Sequence, residues 1–558
     1  MASYNGTLVD SPHRAEDTLR CSATIQGLSV LPIIFPPEEV ESVIPIAQSS
    51  LTYVQQEELE IAYEGTYIDS FLQDYYYRVH ISPAAIAFGA IVNPIEETFI
   101  VWNAWFETKT CSDVAKTNDT EYTLTPDDSS FSLVALEAET FTLNVDENGA
   151  TEFIATITFT FSGETPVLRM TGTRVAVFPF EPSIPMMENL TWQTDIIRAI
   201  DGTEQRISIR PVPRQGFKFE VVLKTEQEQA RLDALLFTWM KRSWGVPIWG
   251  ELEEHIENIS VDDTVINIDT TNADFRDDSY AIIWQGFDSY ESIKIETVAD
   301  NSLTLETHIL NNWTGLKWIM PLRIAYMLSP SSWVSDADEL GRFSCDFTIK
   351  DNELITTYSA PTEYESSPVL DASLVEGGLE NKVENDAKFT DYGIDTFTMF
   401  SDSNFNIYVQ RHIFRLNGKE NIWKFREFLH YLYGRRNTIW ISTDKNDFQQ
   451  TEILGAAETE LTVANVGWAR NMSLNILRTH IAFTFPDGTL YHKEITGITE
   501  SGDEEIIGLS SALGIEVGIG DCVISLLDKC RLTEDKVELE WQERQRLICR
   551  TNFTKVIE

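Results

Sequence analysis

Two stretches decide how this chain is organised: TEQEQARLDALLFTWMKRSWGVPIW, residues 225–249, and KENIWKFREFLHYLYGRRNTIW, residues 419–440. In the first, Thr225 and Glu228 have the T-x-x-E spacing of a capping box, in which two side chains satisfy backbone N–H groups at a helix start. Leu232, Leu235, Leu236, Trp239 and Met240 then recur at i, i+3, i+4, i+7 and i+8, the apolar stripe of an amphipathic helix. Gly245 reads as its end, and Val246-Pro247-Ile248-Trp249 as a strand that leaves it. In the second, Ile422, Phe425, Leu429, Leu432 and Tyr433 share a stripe, Gly434 stops the helix, and Asn437-Thr438-Ile439-Trp440 exits as a strand.

Strands precede both helices, around the Asp201-Gly202 turn and around the Asn417-Gly418 turn. A β-patterned stretch follows each, and Phe343–Ile349 and Arg546–Phe553 read as closing strands. The order predicts one module present twice, at 183–355 and 401–558, with small β domains inserted at about 251–328 and about 451–530. Trp239, Trp249 and Trp440 are assigned to the module cores.

Working outward, residues 76–182 read as an all-β domain. Ala155–Phe161 alternates apolar residues with Thr, and apolar runs at Phe99–Trp102, Phe131–Leu133 and Phe141–Val145 are separated by turn residues. That spacing suggests an immunoglobulin-like β-sandwich. Residues 1–75 read as an extended N-terminal arm broken by Pro32, Pro36, Pro37 and Pro45. Residues 356–400, rich in Ser, Pro, Gly and acids, read as a linker.

Composition narrows the function. The formal charge is −46 over 558 residues, which repels phosphate backbones and anionic headgroups and argues against non-specific nucleic-acid or membrane-surface binding. No apolar window is long enough to span a bilayer, and the first residues carry no signal-peptide pattern, so synthesis in a cytoplasm without membrane insertion is expected. The six cysteines include no C-x-x-C pair and read as reduced core thiols. Charge is also uneven. Residues 198–242 hold nine Lys/Arg against six acids and 411–445 hold eight against three, whereas 251–310 hold two against fifteen. Arg206, Arg210 and Arg214, spaced by four, and the pair Arg435-Arg436 are candidate subunit-interface residues, more consistent with pairing to acids of a neighbour than with DNA.

Motifs for chemistry are missing. There is no G-x-x-x-x-G-K-[ST], no G-x-G-x-x-G opening a helix and no G-x-S-x-G. The eight histidines are scattered, and the calcium-loop-like Asn144-x-Asp146-x-Asn148-Gly149 has Ala155 where the bidentate acid belongs. No catalytic, cofactor-binding or metal residue is assigned, no cofactor is expected, and the chain reads as a non-enzyme.

Several segments resemble a family of tailed-bacteriophage tail proteins from the tail tip or baseplate of long-tailed phages. They are Tyr76–Pro83, Val101–Trp105, Leu168–Arg174, Trp192–Asp195 and Asp201–Arg206, together with Gly434-Arg435-Arg436-Asn437-Thr438-Ile439-Trp440, which is similar to a region of distal-tail-type proteins. The arm and the linker carry no such likeness. The resemblance implies a structural virion protein: tandem tail-tube-like β-barrel modules, each with one helix, assembled around a DNA channel as a trimer with pseudo-six-fold modules or as a hexamer. It implies other tail-tube and baseplate proteins as partners, with DNA passing the lumen without specific binding. A carbohydrate- or receptor-binding tail protein is the alternative and predicts an exposed Trp/Tyr cluster beside acids. A secreted glycan-degrading enzyme is a third reading and predicts two carboxylates roughly 5–10 Å apart in a cleft.

Overall fold

Along Glu152–Phe161 every second side chain is buried, Phe153, Ala155, Ile157, Phe159 and Phe161, so the period of two written in the sequence becomes one apolar face of a strand. The computed structural model describes residues 75–557, apart from 147–148, 200, 329–331, 336–339, 372–374, 376–379, 385–386, 394–396, 401–405 and 472–477. The arm expected at 1–75 therefore lies outside the described residues except for Tyr75. The described chain is mainly β with three α-helices, and divides into two compact units.

The first unit takes in residues 75–87, 96–145 and 154–171. Its strands are β1 (Val79–Ser82), β2 (Ala85–Ile91), β3 (Ile95–Asn103), β4 (Lys109–Lys116), β5 (Tyr122–Thr125), β6 (Phe131–Leu133), β7 (Ala138–Val145), β8 (Glu152–Phe161) and β9 (Val167–Arg174). One sheet has the order β1-β3-β7-β5 and the other β2-β9-β8-β4-β6. Phe99 and Phe141 of the first sheet meet Phe159 of the second at ring-centroid distances of 6.2 and 5.5 Å.

The second unit holds both modules. The first begins with β10 (Ala176–Val177), β11 (Pro182–Thr191), the hairpin β12 (Thr194–Arg198) and β13 (Glu204–Ser208), and β14 (Arg214–Leu223). Helix α1 (Glu226–Trp239) follows, with the capping box formed: Thr225 Oγ1 accepts from Glu228 N, and Glu228 Oε2 from Thr225 N, both at 3.1 Å. After it come β15 (Ser243–Pro247), β16 (Glu253–His255), β17 (Val265–Asn267), β18 (Tyr280–Gly286), β19 (Ser289–Ala299), β20 (Ser302–Leu305), β21 (Lys317–Met327), β22 (Ser332–Ser335) and β23 (Gly341–Ile349). Gly245, expected to end the helix, lies instead in β15 opposite Ile324. The helix stops at its C-cap Met240 because the chain from Ser243 onward is taken into the ladder with β21.

The second module is preceded by β24 (Glu363–Tyr364) and β25 (Ser367–Pro368), then continues through β26 (Glu380–Glu384), the hairpin β27 (Lys388–Asp391) and β28 (Phe397–Phe400), β29 (Ile407–Asn417) and α2 (Lys419–Leu432). It ends with β30 (Ile439–Ser442), β31 (Glu460–Ala464), the short α3 (Trp468–Asn471), β32 (His480–Thr484), β33 (Leu490–Ser501), β34 (Glu504–Leu509), β35 (Val523–Leu532), β36 (Lys536–Glu543) and β37 (Arg546–Lys555). The stretch 356–400, expected as a linker, thus supplies five short strands. Except in the buried Ser367–Pro368 of β25, their side chains are largely exposed, so they lack the apolar alternation by which a strand is recognised.

Both modules use the same pairings in the same order. β14 pairs antiparallel with β23 as β29 does with β37. The other edge of β23 is shared by β21 and β22, and that of β37 by β35 and β36. β21 takes β15 and β18, and β35 takes β30 and β32. The inserted strands run β18-β19-β20-β17 and β32-β33-β34-β31, and each insertion has its own apolar core. Neither module closes into the expected barrel among the described residues. Strand β14 hands its free edge to β11 rather than to a strand of its own module's far side, so the sheet stays open. Alternation in sequence is the same for open and closed sheets, which is why closure was not legible.

Candidate functional site

The modules meet at β11, which pairs with β14 on one edge and with β36 of the second module on the other. One sheet therefore runs β22-β23-β14-β11-β36-β37-β29-β26. A single apolar cluster spans the junction and includes Phe217, Phe347, Phe414, Phe425 and Trp541.

Helix α2 fixes this junction. Its stripe residues Phe425, Leu429 and Leu432 face their own module, and the adjoining row Ile422, Arg426 and His430 is buried as well. Arg426 Nη2 donates to both oxygens of Glu188 on β11, at 2.9 and 2.8 Å, and Nη1 donates to Glu251. Glu188 also accepts from Trp541 Nε1 at 2.9 Å and Gln215 Nε2 at 2.7 Å. Burial works against the charged form of Arg426, but Glu188, Glu251 and Asp274 outweigh it and hold the guanidinium above its ordinary range. Burial pushes Glu251 up, with Arg426 opposing. Asp274, despite burial, is held down to about 2 by Arg323 and Arg276. His430 Nδ1 accepts from Ile355 N at 3.1 Å, and its ring lies 5.9 Å from that of Trp192. Two cavities of about 10 Å³ border Arg426, each large enough for about one water molecule.

The β12–β13 hairpin reaches across to the second module. Arg531 donates to Glu204 from Nε at 2.7 Å and Nη2 at 3.0 Å, and Thr203 bridges Ile557. Asp535 accepts from Thr194 N and Oγ1, both at 2.8 Å, and from Arg435 N at 3.0 Å and Nε at 3.2 Å.

The sequence-derived interface residues fall near this contact. Arg435 binds Asp535 and donates to Thr194 O at 2.6 Å. Arg210 donates to Thr191 O at 2.8 Å and Gln193 Oε1 at 3.1 Å; burial and Arg214 hold it below its ordinary range, with Asp535 opposing. Arg214 is exposed at the start of β14, Arg206 lies on β13 opposite Ile196, and Arg436 sits over the Tyr433 ring at 5.4 Å. Trp249 is in the main core, Trp440 in a small cluster with Val369, Ala482 and Leu527, and Trp239 is half-buried against the main core. Sequence reasoning missed Glu188, Glu251, Arg426 and Asp535. The available signal was the row Ile422-Arg426-His430 at i, i+4, i+8, a second helical face next to the apolar one.

No protein-family model and no curated protein matches the chain. Among solved structures, it is similar to SSP-19, an MSP-domain-like protein of Caenorhabditis elegans (14% identity, 17% of this chain and 97% of that one, TM-score 0.15). It is similar also to the C. elegans MSP family member WR4 (9%, 17% and 97%, TM-score 0.15) and to the E. coli chaperone DraB (10%, 26% and 92%, TM-score 0.15). At these scores the likenesses carry no argument about this chain.

Proposed function

We propose that this chain is a non-enzymatic structural protein of a bacteriophage tail tip or baseplate, forming a ring around the DNA channel and linking the tail tube to other baseplate or receptor-binding proteins. The observation that carries the reading is the duplication: two modules of one strand order, joined edge to edge within one chain. A head-to-tail contact between like modules propagates, and it closes into a ring when the rotation between modules permits. Three chains of two modules each give six positions, which suits a trimer. The net charge of −46 suits a lumen that DNA passes without adhering. The first unit would be an immunoglobulin-like module, carried in a virion assembled in the host cytoplasm. Negative-stain imaging of the purified full chain tests this: rings with a central hole are expected, and isolated single subunits would contradict it.

One observation favours the receptor- or carbohydrate-binding alternative. In the first unit Tyr77 packs on Trp105 and Phe106, at 5.4 and 5.6 Å, with Tyr77 and Phe106 exposed. Trp105 Nε1 donates to Glu164 at 2.7 Å. A monodisperse subunit that binds glycans, and loses them with Phe106→Ala, would favour that reading.

A further inference from the structure

Each element that makes the internal junction has a counterpart, at the same place in the other module, that makes no such junction among the described residues. β36 pairs with β11; its counterpart is β22, which pairs only with β23, and the counterpart of β11 is β26, which pairs only with β29. Among the described residues both ends of the eight-stranded sheet are thus open edges, and Trp333 and Val334 of β22 are exposed. The row of α2 that docks on β11 and Glu251 is buried, but the matching row of α1 ends in Phe237, whose side chain is 94% exposed. The hairpin β12–β13 is held on the second module by Arg531 and Asp535; the hairpin β27–β28, which follows β26 as β12–β13 follows β11, exposes Phe389, Phe397, Met399 and Phe400. An exposed Phe on a helix and an apolar hairpin are costly to leave in water.

The polar groups agree. Glu188 stands opposite Phe217, and Asn381 stands opposite Gln410 at the same ladder position of the other module. Glu188 has Arg426, Trp541 and Gln215 as partners. Asn381 Oδ1 and Nδ2 and Gln410 Nε2 are buried with no partner among the described residues. Asp233 occupies on α1 the place of Arg426 on α2, eight residues after the N-cap position in both. A carboxylate there would accept from an amide at 381, as the guanidinium at 426 serves the carboxylate at 188.

We infer that the internal junction is repeated between copies of this chain: β26 of one copy adds antiparallel to β22 of the next, α1 covers the joint through Asp233 and Phe237, and the β27–β28 hairpin lies across the neighbour's first module. Transferring the β11–β36 register places Glu380 opposite Val334, Asn381 opposite Trp333 and Lys382 opposite Ser332. The occupant is a second copy, since the surface complementary to each open edge is already present at the other end of the same chain. The inference rests on the ring reading above and specifies its contact.

The test mixes two separately purified full-length variants, Glu380→Cys and Val334→Cys, under mild oxidation. Directly opposed antiparallel residues have Cα atoms about 4.5–5.5 Å apart, inside the disulfide range of roughly 4.4–6.8 Å. A covalent two-chain species is expected in the mixture and not in either variant alone or in wild type. Replacing Glu380→Cys by Lys382→Cys, two positions out of register, should slow it about tenfold. All three positions are on edge strands, and circular dichroism verifies folding. Rings that form without the mixed cross-link would overturn the strand pairing and leave the ring reading standing. A mixed cross-link in particles that are not rings would uphold the pairing and overturn the ring.

Discussion

Arg426 and Glu188 form a two-pronged ion pair between modules, with side chains 4% and 0% exposed. Such a pair is weak evidence of net stabilisation, because burying both charges costs about what their attraction returns. Breaking it is another matter. Arg426→Met leaves Glu188 and Glu251 buried without their cation and should destabilise the second unit by about 3–5 kcal/mol, measured by urea unfolding. Adding Glu188→Gln to that variant should recover part of the loss. Equal stability of wild type and Arg426→Met would show that the modules are held by their apolar core alone.

Gly434 is a second point of sensitivity. Its φ is +65°, and an added Cβ would stand 2.7 Å from Cβ of Trp192 in the other module. Gly434→Ala combines a left-handed backbone, which costs roughly 1–2 kcal/mol for a residue with a side chain, with that overlap. A loss of more than about 2 kcal/mol is expected, and a change below 0.5 would mean the junction yields easily.

The basic residues should divide by partner. Arg435→Ala removes hydrogen bonds to Asp535 and Thr194 and should cost about 1–3 kcal/mol. Arg214→Ala, at an exposed position, should stay within about 0.5 kcal/mol. Thermal unfolding of both variants is the measurement, and similar losses would contradict the assignment of Arg435 to the junction.

Acid should loosen the junction through His430. Burial, with Arg426 adding to it, lowers this imidazole to about 3, and burial lowers His412 to about 4. The unfolded chain, with ordinary imidazoles near 6.5, binds these protons first. Stability is therefore full above about 6.5 and falls as pH drops towards 4 and 3. His430→Gln should flatten the wild-type slope between pH 6.5 and 4. An unchanged slope would remove His430 from the pH response.

How much of this was readable in sequence follows from burial. α1 and α2 were readable because capping and one apolar stripe are local; their spans, Glu226–Trp239 and Lys419–Leu432, follow the stripes. β26 and the β27–β28 hairpin were not readable, because edge strands with exposed side chains share the composition of a linker. Arg426 and Glu188 were not paired because 238 residues separate them, and in a chain with 88 acids no single carboxylate stands out. The modules' strand exits were also misaligned. By ladder position Ile439, opposite Cys530, corresponds to Trp244, opposite Ala325, so Trp440 is not the counterpart of Trp249.

Native mass measurement of the purified full-length protein addresses the duplicated, self-propagating module most directly. A species at three times the 63.5 kDa chain mass is expected at micromolar concentration, reduced to single chains by Phe237→Asp. A wild-type protein that stays at one chain mass across that range would contradict the account.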